Sequence, residues 1–213
     1  MSRAIPAEGF NLTENPSAVP NNLLAARCQS LYVEFLQVSA QGALVEGAKN
    51  HVVLKVDFEH ITARCRGVRI SMDIDQDLEL EDDGTGLKPG KMMVKPVSYR
   101  GASTSSARSF ELPLQRQTTL QAIISPFVGY GLQDFYFQEV ADRYYGCRDF
   151  MYVSPRTRSD LAGLVFESSH IYSALGMRFQ SGLTNYCPID KGEFSGYIRV
   201  EEVYMPYCRA QDQ

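Results

Sequence analysis

Apolar and polar residues alternate with period two over His51-Val52-Val53-Leu54-Lys55-Val56-Asp57-Phe58. Val52, Leu54, Val56 and Phe58 fall on one face, with His51, Lys55 and Asp57 on the other. The pattern predicts a strand with one buried apolar face and an opposite face that leaves Lys55 and Asp57 in solvent. Val68–Asp73 repeats the alternation, and the short polar stretch Thr62–Gly67 between the two predicts a hairpin. Leu31–Leu36, Met92–Tyr99, Asp134–Gln138 and Tyr197–Tyr204 read as further strands, with Pro96 pushing the second of these toward a sheet edge. A helical stripe appears at Leu120, Ile123, Ile124, Phe127 and Val128 behind a Thr118 or Thr119 cap, and a second helix is expected over Ser159–Phe166. Gln41–Lys49 reads as a loop, Asp82–Gly86 as a turn, and Gly101–Ser109 as a loop or mobile flap. Strands come first and helices are few, so the expected fold is α+β, a mostly antiparallel sheet with a few packed helices. Residues 1–22, punctuated by Pro6, Pro16 and Pro20, read as an N-terminal arm, extended or poorly ordered; residues 23–213 read as a single domain.

Composition removes several function classes. A net charge of −4, from 21 basic and 25 acidic residues, offers no broad positive field to a phosphate backbone, so no nucleic-acid partner is expected. No apolar run reaches membrane-spanning length, so no membrane partner is expected, and the first residues contain no secretory h-region, which points to the cytoplasm. The five cysteines are irregularly spaced and none forms C-x-x-C, so they are expected to be free thiols without zinc. Gly84–Gly90 lacks Walker spacing and carries Pro89 where a helix would start, so no nucleotide or other cofactor is assigned. Asp73, Asp75, Asp77, Glu79 and Glu81 alternate like one face of a strand. They fail the EF-hand pattern, because Leu78 holds the glycine position and Gly84 the bidentate glutamate position, so a solvated charged face is preferred and no metal is assigned.

What chemistry is left centres on a thiol. Cys147 follows Gly146 and precedes Arg148; at a helix start beside a guanidinium, a thiol is held toward thiolate. His51, His60 and His170 are the imidazoles, and no two stand at metal-ligand spacing. His51, at the head of the clearest strand, is the candidate base and Cys147 the candidate nucleophile; Arg148, Tyr145 and Tyr99 are candidate contacts to a small-molecule substrate. The plainer alternative makes Cys147 a small buried hydrophobe.

The stretch from Asn50-His51 through Val68–Asp73, Tyr99, Phe110, Thr118-Thr119, Tyr136-Phe137 and Gly146–Phe150 resembles a domain family of filamentous fungi. Its members open a strand with Asn-His and carry a late Gly-Cys-Arg-aromatic motif; the likeness spans about residues 50–153 and brings no activity with it. The family often has Trp shortly after the His and near the Cys-Arg pair, where this chain has Val52 and no Trp at all. The order of His51 and Cys147 is also similar to that in circularly permuted papain-like proteins of the lecithin:retinol acyltransferase kind. That likeness implies thiol-dependent acyl transfer or hydrolysis, with no third triad residue identified. Two other readings stand beside it. One is a cofactor-independent isomerase or cyclase of fungal specialised metabolism, with an aromatic-lined pocket in which Tyr, His and acid residues move protons; the other is a non-catalytic binding protein. The sequence sets no oligomeric state.

Overall fold

The computed structural model describes residues 5–38, 48–75, 86–112, 114, 117–139, 144–156, 169–180 and 183–194. The strands are β1 (Phe10–Asn11), β2 (Cys28–Leu36), β3 (Val52–Thr62), β4 (Cys65–Ile74), β5 (Leu87–Val97), β6 (Ser106–Leu112), β7 (Phe135–Glu139), β8 (Tyr144–Tyr145), β9 (Met177–Gln180), β10 (Leu183–Tyr186) and β11 (Glu193–Phe194). The helices are α1 (Asn21–Leu24), α2 (Leu120–Gly129), α3 (Cys147–Arg156) and α4 (Ser169–Leu175). An antiparallel sheet runs β11-β7-β5-β4-β3-β2-β6, with β1 added beside β5 and β8 beside β7, while β9 and β10 form a separate hairpin. The sheet curls into a half-barrel, so the fold is predominantly β. This corrects the expected α+β class with packed helices: five successive strands, β2 to β6, pair into one curled antiparallel sheet, and the helices are few and short. The helix expected over Ser159–Phe166 and the strand over Tyr197–Tyr204 lie outside the described residues.

The concave face is apolar. Leu31, Val33 and Phe35 of β2, Val52, Leu54, Val56 and Phe58 of β3, Ile70 and Met72 of β4, and Met92 and Val94 of β5 are buried in one cluster. Helix α2 begins at Thr119, whose hydroxyl accepts the Ala122 N–H at 3.3 Å, and it turns Leu120, Ile123, Ile124 and Phe127 inward. Phe150 of α3 stacks with Phe127 at 5.6 Å and meets Phe135 edge-on at 5.8 Å, which seats α3 against the same core. The N-terminal segment runs extended along β5 and contributes Phe10, Leu12 and Val19 to the interior. Pro96 does not place β5 at an edge: the strand lies between β4 and β7, and the missing N–H falls beyond the stretches of β5 that β7 and β1 pair.

The opposite face of β2–β4 also departs from expectation. Lys55 is fully buried and Asp57 nearly so, although simple alternation sends them to solvent. The connection between β5 and β6 crosses this face and covers it. The Gly101 N–H donates to Asp57 Oδ2 at 2.8 Å, the Ser103 N–H to Glu34 Oε1 at 2.6 Å, and Arg100 to the carbonyls of Phe58 and Glu59. The stretch expected to be a loose flap is therefore a strap anchored on buried carboxylates, and it leads directly into β6. Beneath it the Lys55 ammonium is ion-paired with Asp57 and lies over the rings of Tyr99 at 4.9 Å and Tyr32 at 5.5 Å. Removing one partner of a buried ion pair strands the other charge, which costs about 3–5 kcal/mol. Asp57→Ala should therefore lower unfolding stability by that amount in a urea titration; a loss under about 1 kcal/mol would show the strap contributes little.

Candidate active site

His51 stands one residue before β3, and the residue before it fixes its backbone. The fully buried Asn50 side chain donates through Nδ2 to the carbonyls of Leu36 (2.9 Å) and Phe179 (2.8 Å), and its Oδ1 accepts the Phe179 N–H at 2.8 Å. Both amide hydrogens are thereby used within the fold. On the other side, the Leu36 N–H donates to the His51 carbonyl at 2.8 Å.

Cys147 enters from α3. Gly146 must precede it, because a Cβ there would sit 2.7 Å from the Phe135 ring and 3.2 Å from the Phe137 ring. Arg148, buried in the interior, donates to the Asn50 carbonyl at 3.4 Å and the Leu175 carbonyl at 3.1 Å. A residue adjacent to the thiol is thus tied to a residue adjacent to the imidazole. The thiol and the imidazole line the same cleft and each shifts the titration of the other, with the Val52 N–H acting on the sulfur as well.

A third group completes the row. His51 Nε2 lies 3.2 Å from Asp73 Oδ1, and Asp73 Oδ2 accepts from Lys95 Nζ at 2.7 Å. Asp73 had been weighed as one of an alternating acidic series. Among its described members, Asp73 is engaged by His51 and Lys95, and Asp75 pairs with Lys91 at 3.1 Å. Asp77, Glu79 and Glu81 lie outside the described residues, among which no cluster suited to a metal is found.

The electrostatics follow from this row. Burial opposes charge on the His51 ring, but the Cys147 sulfur and the Asp73 carboxylate outweigh it and raise the imidazole above its ordinary value. Burial likewise works against a thiolate at Cys147; the His51 charge and hydrogen bond, the Val52 N–H and Arg148 prevail and lower the thiol. Asp73 is held below the usual carboxylate range by His51 and Lys95 despite its burial. The thiol and the imidazole thus each favour the charged form of the other. Two other cysteines go the opposite way: burial pushes Cys28 up to about 12 and raises Cys65. The four described cysteines, Cys28, Cys65, Cys147 and Cys187, are free thiols.

Cys147 and His51 line a cleft of about 560 Å³ together with Phe137, Tyr144, Tyr145, Met72 and Ile74. Of the residues expected to touch substrate, Tyr145 lines this cleft. Arg148 does not, its Nε and one terminal nitrogen donating to the backbone as described above, and Tyr99 lies on the strapped face, where its hydroxyl accepts from Arg69 at 2.9 Å. His60 and His170 are exposed, away from the thiol. The sequence reading missed Asp73 as a partner of His51, and with it Lys95, Lys49 and Lys91. No protein-family model, no curated protein and no solved structure matches the chain. Function therefore has to be read from the site itself.

A lowered thiol and a raised imidazole widen the pH window of the ion pair on both sides. Alkylation of Cys147 by iodoacetamide should keep its full rate well below the ordinary thiol range, down to the lowered value of the thiol. His51→Ala should move that acid limb upward toward the free-thiol value of about 8.5, and Asp73→Asn should move it part of the way. Unchanged profiles in both variants would show that the imidazole does not govern the thiol.

Proposed function

We propose that the protein is a thiol-dependent hydrolase or acyltransferase acting on a small acyl substrate, with Cys147 as nucleophile, His51 as acid and base, and Asp73 as the group that orients the imidazole. The observation that carries this reading is that Cys147, His51 and Asp73 line one cleft, with the imidazole held by the Asp73 carboxylate at 3.2 Å and Cys147 at the start of α3. Asp73 takes Nε2 of the ring, which leaves Nδ1 for the sulfur. The thiolate attacks the carbonyl carbon, and the C–S bond forms as the carbonyl electrons move to oxygen. The oxyanion develops at the N-terminus of α3, where the first N–H groups have no intrahelical acceptor. His51 then gives its proton to the departing alcohol, thiol or amine, which leaves a Cys147 thioester. Neutral His51 next takes a proton from water or from an acceptor nucleophile, and collapse of the second tetrahedral species returns thiolate and imidazolium.

The cleft's contents support this reading over a cofactor-independent isomerase or cyclase. A closed apolar cavity remote from Cys147 would favour that alternative, whereas the cleft described here has the thiol and imidazole in its lining. No helix among the described residues is long and apolar enough to cross a membrane. We place the activity in the reducing cytoplasm, where a nucleophilic thiol needs no activation by reduction.

Incubation with p-nitrophenyl acetate should release nitrophenolate and leave an acetyl group on Cys147, seen by mass spectrometry of the intact protein. Cys147→Ala and His51→Ala should each lower the rate by about 10²–10⁴-fold with little change in melting temperature, and the double variant should be hardly worse than either. Undiminished turnover in Cys147→Ala would end the nucleophile reading.

A further inference from the structure

The cleft presents cations on its surface and sets their partner acids back. Lys49 and Lys91 both line it, whereas the carboxylates paired with them, Asp190 and Asp75, do not. Among the described residues the acid that lines it is Asp73, and both of its oxygens are engaged, one by His51 and one by Lys95. The two tyrosines at the mouth carry ammonium groups on their faces: Lys49 lies 4.8 Å from the Tyr145 centroid and Lys88 lies 4.8 Å from that of Tyr144. This basic lining belongs to a chain whose net charge is −4, so it is a local feature and not a consequence of composition. Phe137, Met72 and Ile74 add an apolar lining.

We infer that the acyl substrate has an apolar body and carries an anionic group, which Lys49 and Lys91 receive while the carbonyl sits at Cys147. The inference rests on the reading of Cys147 as a reactive thiol. The apolar body displaces water from that lining, and the basic rim raises the local concentration of an anion before it reaches the sulfur. Lys49 is well placed for this, because its ion pair with Asp190 and its bond to the Pro188 carbonyl at 2.7 Å hold it against Tyr145, one residue from Asn50 and two from His51.

Two maleimides with the same reactive ring separate this claim from the one beneath it. N-ethylmaleimide is neutral, and 3-maleimidopropionate differs from it by a carboxylate. Their relative rates at Cys147, normalised to those with a free small thiol, report the field in the cleft. The protein should prefer 3-maleimidopropionate by about threefold to tenfold at low salt, and the preference should shrink as salt is added. It should also fall in Lys91→Met and in Lys49→Met; the His51 imidazolium is common to all three proteins and cancels in the comparison. A preference unchanged in both variants, or insensitive to salt in the native protein, overturns the anionic substrate and leaves the nucleophile standing. Failure of both reagents to modify Cys147 faster than a free thiol overturns both readings together. The salt series needs no variant, so a salt-insensitive preference overturns the inference even where a lysine substitution prevents folding.

Discussion

The pairing of β3 with β4 determines where charge is placed in this protein. Near the hairpin turn Thr62 faces Cys65, but from Asp57 onward the register shifts, so that Asp57 faces Gly67 and Lys55 faces Arg69. Continued to the start of β3, the shifted register sets His51 opposite Asp73. The shift depends on Gly67, where a Cβ would lie 2.0 Å from the Val56 carbonyl oxygen. Were the register of the turn carried straight through, His51 would lose its carboxylate and every charged residue on that face would meet a different neighbour.

The same register separates two polar assemblies that share one face of the sheet. Toward the hairpin, Glu34, Lys55 and Asp57 are buried beneath the Gly101–Ser105 strap, with Arg69 at its margin. Toward the other end, His51 and Asp73 stay open enough to reach the cleft, with about a third of the imidazole exposed. The first group ties the strands together under the strap, and the second faces the cleft. Helix α3 is docked by Phe150 into the aromatic core and by Arg148 onto the Asn50 backbone, so the thiol comes to a position that the strands have already set.

Much of this was legible in the residues. The apolar faces of β2 to β4 and the capped stripe of α2 follow from periodicity, and Cys147 and His51 could be named from the glycine, the guanidinium and the strand start around them. Asp73 was not legible as the third member. It sits in an acidic run that reads as solvent surface, and the register shift that carries it to His51 is a property of backbone packing at Gly67. The fate of Lys55 and Asp57 was misread for a related reason. Alternation assigns a residue to a face but says nothing of whether that face is covered, and here a distant loop covers it using backbone N–H groups that carry no sequence signature. The expected α+β class gave too much weight to a few packed helices, whereas the curled antiparallel sheet makes the fold predominantly β.

The central claim is that Cys147 and His51 exist as a thiolate–imidazolium pair braced by Asp73. An NMR titration of the His51 ring in the native protein and in Cys147→Ser tests it most directly. The account predicts that His51 stays protonated well above its ordinary value of 6.5 in the native protein and titrates markedly lower once the sulfur is gone. Titration near 6.5 in both proteins would contradict it.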